Sequence, residues 1–454
     1  MRILLHIFSI FVGVFALSAQ TADVIREMIC KNPNFAEPII SPYDESSIGR
    51  FSSPPKGYKP FYFSATIRHG SRYELQDSTY IRPTEVYNRA AELGILTPLG
   101  EEVRQLLIQA TAKQIGQLGK LSPLGQKQMR DLGRRAYNNF KSIFESGNTE
   151  GRSSDMTRCI LSMNAFVDGL KENNRNLSVE IYARDSDVYI LRPMSKVPPV
   201  PAILKELWER EGRRGGAWRE KIVEWSSKQD VSTMLSKVVT RPELLTKSCG
   251  AHSDFLFAYN THHLLLYAQN FEAGDSEILT RLFTPEEQYI FYLYESVKWL
   301  WWSGGWGNPM IESYSAYVRP LVEDVLNKAQ DAIDGKNPNV ADLRFTHDTY
   351  LLPLLTVFGY KNCSIQYSDN WEQASISAPL SEIMPMAANL QLILYRNKRG
   401  DVLVRSLLNE RDVTLPIECD TAPFYPLKEL CSIAERNIKR LEQTRDKFLL
   451  EYQR

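Results

Sequence analysis

The stretch FYFSATIRHGSRYEL, residues 61–75, begins as a buried strand and ends in charge. Phe61–Ile67 has the apolar, β-branched character of a strand, and Arg68, His69 and Arg72 follow it around Gly70. Burying three potential cations is costly unless something anionic meets them. Guanidinium forks match phosphate-like oxygens bidentately, which lysine does less well. Gly70 permits a tight turn that leaves the imidazole exposed. A histidine between two cations is a poor structural choice, so the stretch predicts a local anion site centred on His69.

Two further segments point to the same crevice. LRFTHD, 343–348, reads as a second strand ending in charge, with His347 and Asp348 at its end. Taken alone, Asp348 would serve as the N-cap of the apolar helix YLLPLLTVFG, in which Pro353 is expected in the first turn. MTRCILSMNAFVDGL has helical spacing from Ile160 to Leu170 and puts Arg158 in its first turn. Ser122 and Pro123 in GKLSPLGQKQMRDLG are an N-cap and a first helical residue. VEIYARDS, 179–186, reads as a strand, and NLQLILYRNKRGDVLVRSLLNE as a hairpin about NKRGD. This order predicts an α/β sandwich with a largely parallel sheet, whose ligands bind beyond the carboxyl ends of its strands.

These motifs resemble the histidine acid phosphatases, branch 2 of the histidine phosphatase superfamily. RHGSRYE stands near the N-terminus, HD at 347–348 near the C-terminus, and the Arg158 helix between them, in the family's order. The resemblance implies a phosphoglycerate-mutase-like core and hydrolysis of phosphate monoesters. It implies that His69 takes the phosphoryl group, that Arg68, Arg72, Arg158 and His347 bind phosphate, and that Asp348 protonates the leaving alkoxide. An acidic optimum follows from the need for a protonated Asp348. Two spellings depart from the family. Glu74 stands where proline is usual. RHGSRY is similar to the multiple inositol polyphosphate phosphatases, yet those usually carry HAE where this chain has HDT. Inositol phosphates such as phytate are therefore candidate substrates. A phosphotransferase or mutase of the same superfamily, and a phosphate-ester-binding protein without turnover, are the alternatives.

The rest of the chain sets the context. Its 454 residues suffice for a large core, and 54 basic against 54 acidic residues leave no global field to recruit nucleic acid or an acidic membrane. MRILLHIFSIFVGVFALSAQ has one early cation, an apolar run and small residues at 16, 18 and 19. It reads as a signal peptide, residues 1–19, with export to the periplasm or medium and no membrane anchor. Residues 20–186 and 336–454 are expected to form the α/β catalytic domain, and 187–335 an inserted helical subdomain carrying specificity.

The six cysteines lack CxxC spacing, which disfavours thiolate zinc. Cys419 and Cys431 are the first expected disulfide, and Cys159 reads as a buried thiol. His262 and His263, adjacent on a helix, should point in different directions. No metal or other cofactor is expected. KWLWWSGGWG, 298–307, is expected to pack between subdomains, and the cations of REGRRGGAWREK, 210–221, to lie on a solvated face.

Overall fold

The computed structural model describes residues 22–48, 51–196, 202–207, 217–273, 277–303, 305–363 and 370–452. The leader, residues 1–19, and residues 210–216 of the basic run lie outside these residues. Strand β1 is Lys59–Arg68, β2 Asn148–Ser153, β3 Val179–Tyr182 and β4 Asn339–Thr346, followed by β5 Asn389–Arg396, β6 Val402–Leu408, β7 Arg411–Asp412 and β8 Phe424–Pro426. The sheet runs β3-β2-β4-β1-β5-β6-β7, with β8 paired to β6. Strands β3, β2, β4 and β1 pair in parallel, and β5 to β8 extend the sheet antiparallel. β5 and β6 form the expected hairpin about Asn397–Asp401.

The ten helices that position the site are α1 Ser78–Glu92, α2 Pro98–Gln114, α3 Pro123–Phe144, α4 Thr157–Leu170, α5 Asp185–Leu191, α6 Asp254–Tyr267, α7 Pro285–Ser303, α8 Arg319–Ile333, α9 Asp348–Phe358 and α10 Leu427–Tyr452. Alternation along the strands sorts side chains to two faces. Phe63, Ala65 and Ile67 of β1, with Ile393 of β5, pack against α3 and α4. Tyr62, Leu390, Leu392 and Leu394 pack against α8, α9 and α10 on the other face. Each fully buried Phe, Ile or Leu among these contributes about 1.5–3 kcal/mol.

Ser122 caps α3, its Oγ accepting from the Gly125 amide at 3.1 Å. Helices α3 and α4 cross so closely that a Cβ on Gly133 or Gly169 would collide with the backbone of the other helix.

A third cluster forms a helical layer. Helices α1 and α2, from before the site's third arginine, share it with α6, α7 and the short helix Ser232–Val238. Between residues 187 and 335 all the described regular elements are helices. Trp306 is buried in the cluster beneath α9, and Trp299 packs at its edge. No helix among the described residues is long and apolar enough to cross a membrane.

Three expectations need correction. Pro353 lies inside α9, because the helix starts at Asp348, before the apolar run. Its lost hydrogen bond is tolerated in a helix whose side chains are buried nearly throughout. All six cysteines are free. The Cys419–Cys431 bridge is not formed, since Cys419 Sγ faces Thr421 Oγ1 at 3.2 Å and the Phe424 carbonyl at 3.7 Å. His262 and His263 converge: their Nδ1 atoms lie 3.6 and 3.1 Å from the same oxygen of buried Glu37.

Candidate active site

The carboxyl ends of β1 and β4 lie side by side, with Arg68 opposite Thr346 in the parallel register. The His69 amide donates to the Thr346 carbonyl at 3.1 Å, and the His69 and His347 rings come within 5.4 Å, centroid to centroid. Beyond this edge the chain must turn sharply, and Gly70 makes the turn possible. A Cβ there would sit 2.5 Å from the Gly125 carbonyl at the start of α3. The turn is pinned by side chains from both flanking helices. Gly70 N donates to Ser162 Oγ of α4, and Ser71 N to Gln128 Oε1 of α3. Ser71 Oγ reaches Asn270, just beyond α6.

Arg68, His69, Arg72, Arg158, His347 and Asp348 all converge at this edge. Arg68 is fully buried. Its Nη1 donates to the carbonyls of Ile39, Met384 and Pro385, which fixes the guanidinium, while Nη2 lies 2.6 Å from Asp348 Oδ2. Arg72 Nη1 donates to the Tyr73 carbonyl and to the Tyr267 hydroxyl. Arg158 Nη2 meets His347 Nδ1 at 3.2 Å. The Nε atoms of all three arginines are buried and have no hydrogen-bond partner among the described residues. Buried donors are nearly always paired, and three orphans in one place are the mark of a site built for an anion.

The histidines are held neutral. Burial, with Arg158, Arg68, His347 and Arg72 alongside, pushes the His69 pKa well below the ordinary histidine value. Burial and the neighbouring guanidiniums do the same to His347. His69 Nδ1 lies 2.9 Å from the Gly70 carbonyl, which can only accept, so the proton sits on Nδ1 and Nε2 keeps its lone pair. His347 has the opposite tautomer. Arg158 donates to its Nδ1, leaving the proton on Nε2, 3.4 Å from Ser154 Oγ. Asp348 is not the N-cap but the first residue of α9; His347 holds the cap position, without a side-chain cap bond. The Asp348 carboxyl is therefore free to reach into the crevice, where Oδ1 accepts only from the Thr349 amide among the described groups.

Glu74 explains its own departure from proline. Its amide donates to Gln114 Oε1 at 2.9 Å, and its carbonyl accepts from Gln114 Nε2 and from the Gly119 amide. Proline has no amide proton to give. Sequence reasoning missed Arg192, just after α5. It pairs with Asp155 at 2.6 Å, and its charge acts on the His347 ring. The sequence also held no signal for Tyr267 or Asn270. Cys159 is a buried thiol, as expected, its pKa pushed up to about 11 chiefly by burial.

Comparison with known proteins agrees with the geometry. The family model described as the histidine phosphatase superfamily, branch 2, matches residues 64–409. Among solved structures, the multiple inositol polyphosphate phosphatase of Bifidobacterium longum in complex with inositol hexasulfate superposes with a TM-score of 0.69 at 19% identity, over 88% of this chain and 97% of that one. The phytase from D. castellii gives 0.62 at 15% identity, over 91% and 85%. These likenesses are of fold. No curated protein matches the chain in sequence. Because the family model covers most of the chain, from β1 to the end of β6, the chain belongs to branch 2 of the histidine phosphatase superfamily.

Proposed function

We propose that this chain hydrolyses phosphate monoesters through a phosphohistidine on His69, with inositol phosphates within its substrate range. One observation carries the proposal: a neutral imidazole with a free Nε2 lone pair, set among three guanidiniums whose Nε donors have no partner. Phosphoryl transfer needs positioning and charge stabilisation more than covalent help from the protein. Arg68, Arg72 and Arg158 take the phosphate oxygens. His347 Nε2–H, only loosely engaged at 3.4 Å, donates to another.

His69 Nε2 then bonds to phosphorus as the ester P–O bond breaks, and the leaving oxygen takes its proton from Asp348. In the second step water attacks the phosphohistidine and gives its proton to the Asp348 carboxylate. Phosphate leaves and His69 returns to its neutral form. Asp348 must start protonated, which favours acid. We extend the proposal to export after cleavage of residues 1–19. The N-terminus of the exported protein would then read from Ala19 or Gln20, and a retained Met1 would contradict it.

The test follows inorganic phosphate release from nitrophenyl phosphate and from inositol hexakisphosphate at acid pH, with chelator present. Release from both is expected, with His69→Ala slower by about 10³-fold or more. Release from neither, or an unaffected variant, would overturn the proposal.

A further inference from the structure

The three arginines are oriented by different means. Arg68 is fixed by main-chain carbonyls, and Arg158 leans on His347. The side-chain partner of Arg72 is Tyr267, at the last residue of α6 and 195 positions away in sequence. The Tyr267 hydroxyl oxygen accepts from Arg72 Nη1 at 2.5 Å. The phenol is fully buried, and burial pushes its pKa up, so it stays protonated and neutral. Its ring is set between His263 and Phe271, at 5.9 and 6.3 Å between centroids. Phe271 in turn stacks on Tyr73 at 5.1 Å. Two residues of the helical layer, one turn apart, thus hold Arg72 and its chain neighbour. Between them Asn270 accepts from Ser71 Oγ and donates to the Ile40 carbonyl.

We infer that Tyr267 is a positioning residue for Arg72. By taking Nη1, together with the Tyr73 carbonyl, it fixes the plane of the guanidinium and leaves Nε as a donor aimed at the phosphate. A guanidinium is a planar fork, so fixing one nitrogen fixes the direction of the others. A long, flexible arginine held in advance loses less freedom when it binds its ligand. The tyrosine touches neither substrate nor reacting atoms in this scheme and acts through Arg72. With Asn270, it carries the helical layer's contribution to an anion site built mainly on the sheet and its flanking helices. The inference rests on the phosphate-binding reading of the site, but not on turnover.

The test is a double-mutant cycle of Tyr267→Phe and Arg72→Lys, read by calorimetric binding of inorganic phosphate and, separately, by kcat and KM on nitrophenyl phosphate. Tyr267→Phe alone should weaken phosphate binding about tenfold, as loss of a hydrogen bond to a charged group does. In the Arg72→Lys background the same change should cost less than about twofold, because its partner is already gone. Melting temperatures of the four proteins report whether each has folded. Equal losses in both backgrounds would show a general packing role and overturn the inference, as would unchanged phosphate binding in Tyr267→Phe. If the parent binds phosphate but releases none from esters, the hydrolase reading fails while the cycle still decides the role of Tyr267. If the parent binds no phosphate, the reading of the site falls and takes the inference with it.

Discussion

The parallel half of the sheet and the turns at its carboxyl edge hold two kinds of arginine only a few residues apart. Arg152 and Arg344, before the strand ends, share Asp324 of α8, each 2.5 Å from it. Arg344 also donates to Ser64 Oγ and the Asp324 carbonyl, and Arg152 faces Glu150 and Asp187. Burial opposes ionisation of Asp324, but Arg344 and Arg152 outweigh it and hold its pKa at about 2. Both guanidiniums there face carboxylates; Arg152 Nε lies 3.2 Å from Glu150 Oε1, although without hydrogen-bond geometry. At the end of β1 and just beyond the strand ends, Arg68, Arg72 and Arg158 each keep an Nε without a hydrogen-bond partner among the described residues. Residue type is the same, but Arg152 and Arg344 are buried against carboxylates, whereas Arg72 and Arg158 are half-buried and face no carboxylate within ion-pair distance among the described residues. The first group ties α8 to the sheet, and in the proposed function the second takes an anion.

Substitutions should separate the two groups cleanly. Asp324→Ala strands two buried guanidiniums and should destabilise the fold by about 3–5 kcal/mol in denaturant titration, with the activity per folded molecule kept. Arg158→Ala should do the reverse, lowering kcat/KM by about 10²-fold with the melting temperature unchanged or raised, since it removes an unpaired charge. A comparable stability loss in both variants would erase the distinction.

Asp348→Asn sharpens it further. Turnover of alkyl phosphates should slow by about 10²-fold or more, and that of nitrophenyl phosphate, whose leaving group barely needs a proton, by far less. Equal losses on both esters would remove Asp348 from the role of acid.

The smallest effect is on the pH dependence of stability. His69 and His347 have pKa values below their unfolded value, so the unfolded chain takes up more protons as pH falls below about 6.5. Without phosphate, stability should therefore decline with acidification, by up to about 1.4 kcal/mol per pH unit for each histidine. His69→Asn should shallow that slope. An unchanged slope would mean that His69 is charged in the fold.

Much of the cradle was legible because its signals are local. A strand running into RHG, a Ser-Pro helix start and an HD after a second strand each announce themselves within ten residues. The order of the three motifs was enough to predict one crevice, and β1, β4, α3 and α4 lie where their patterns put them. What escaped was long-range or overridden by packing. Tyr267 meets Arg72, and His263 meets Glu37, across about two hundred residues that carry no pairing code. Pro353 was misjudged because tertiary burial can hold a helix that local propensity would break. Asp348 looked like a cap in sequence; only the backbone at His347 shows that the helix starts one residue earlier than a cap at Asp348 would allow, with Asp348 as its first residue.

The most direct measurement of the central claim is rapid quenching of the enzyme during turnover of nitrophenyl phosphate, followed by peptide mapping for phosphorylated side chains. An acid-labile phosphoryl group is expected on the peptide bearing His69 and absent from His69→Ala. Steady turnover with no phosphorylated peptide, or with the label on another residue, would contradict it.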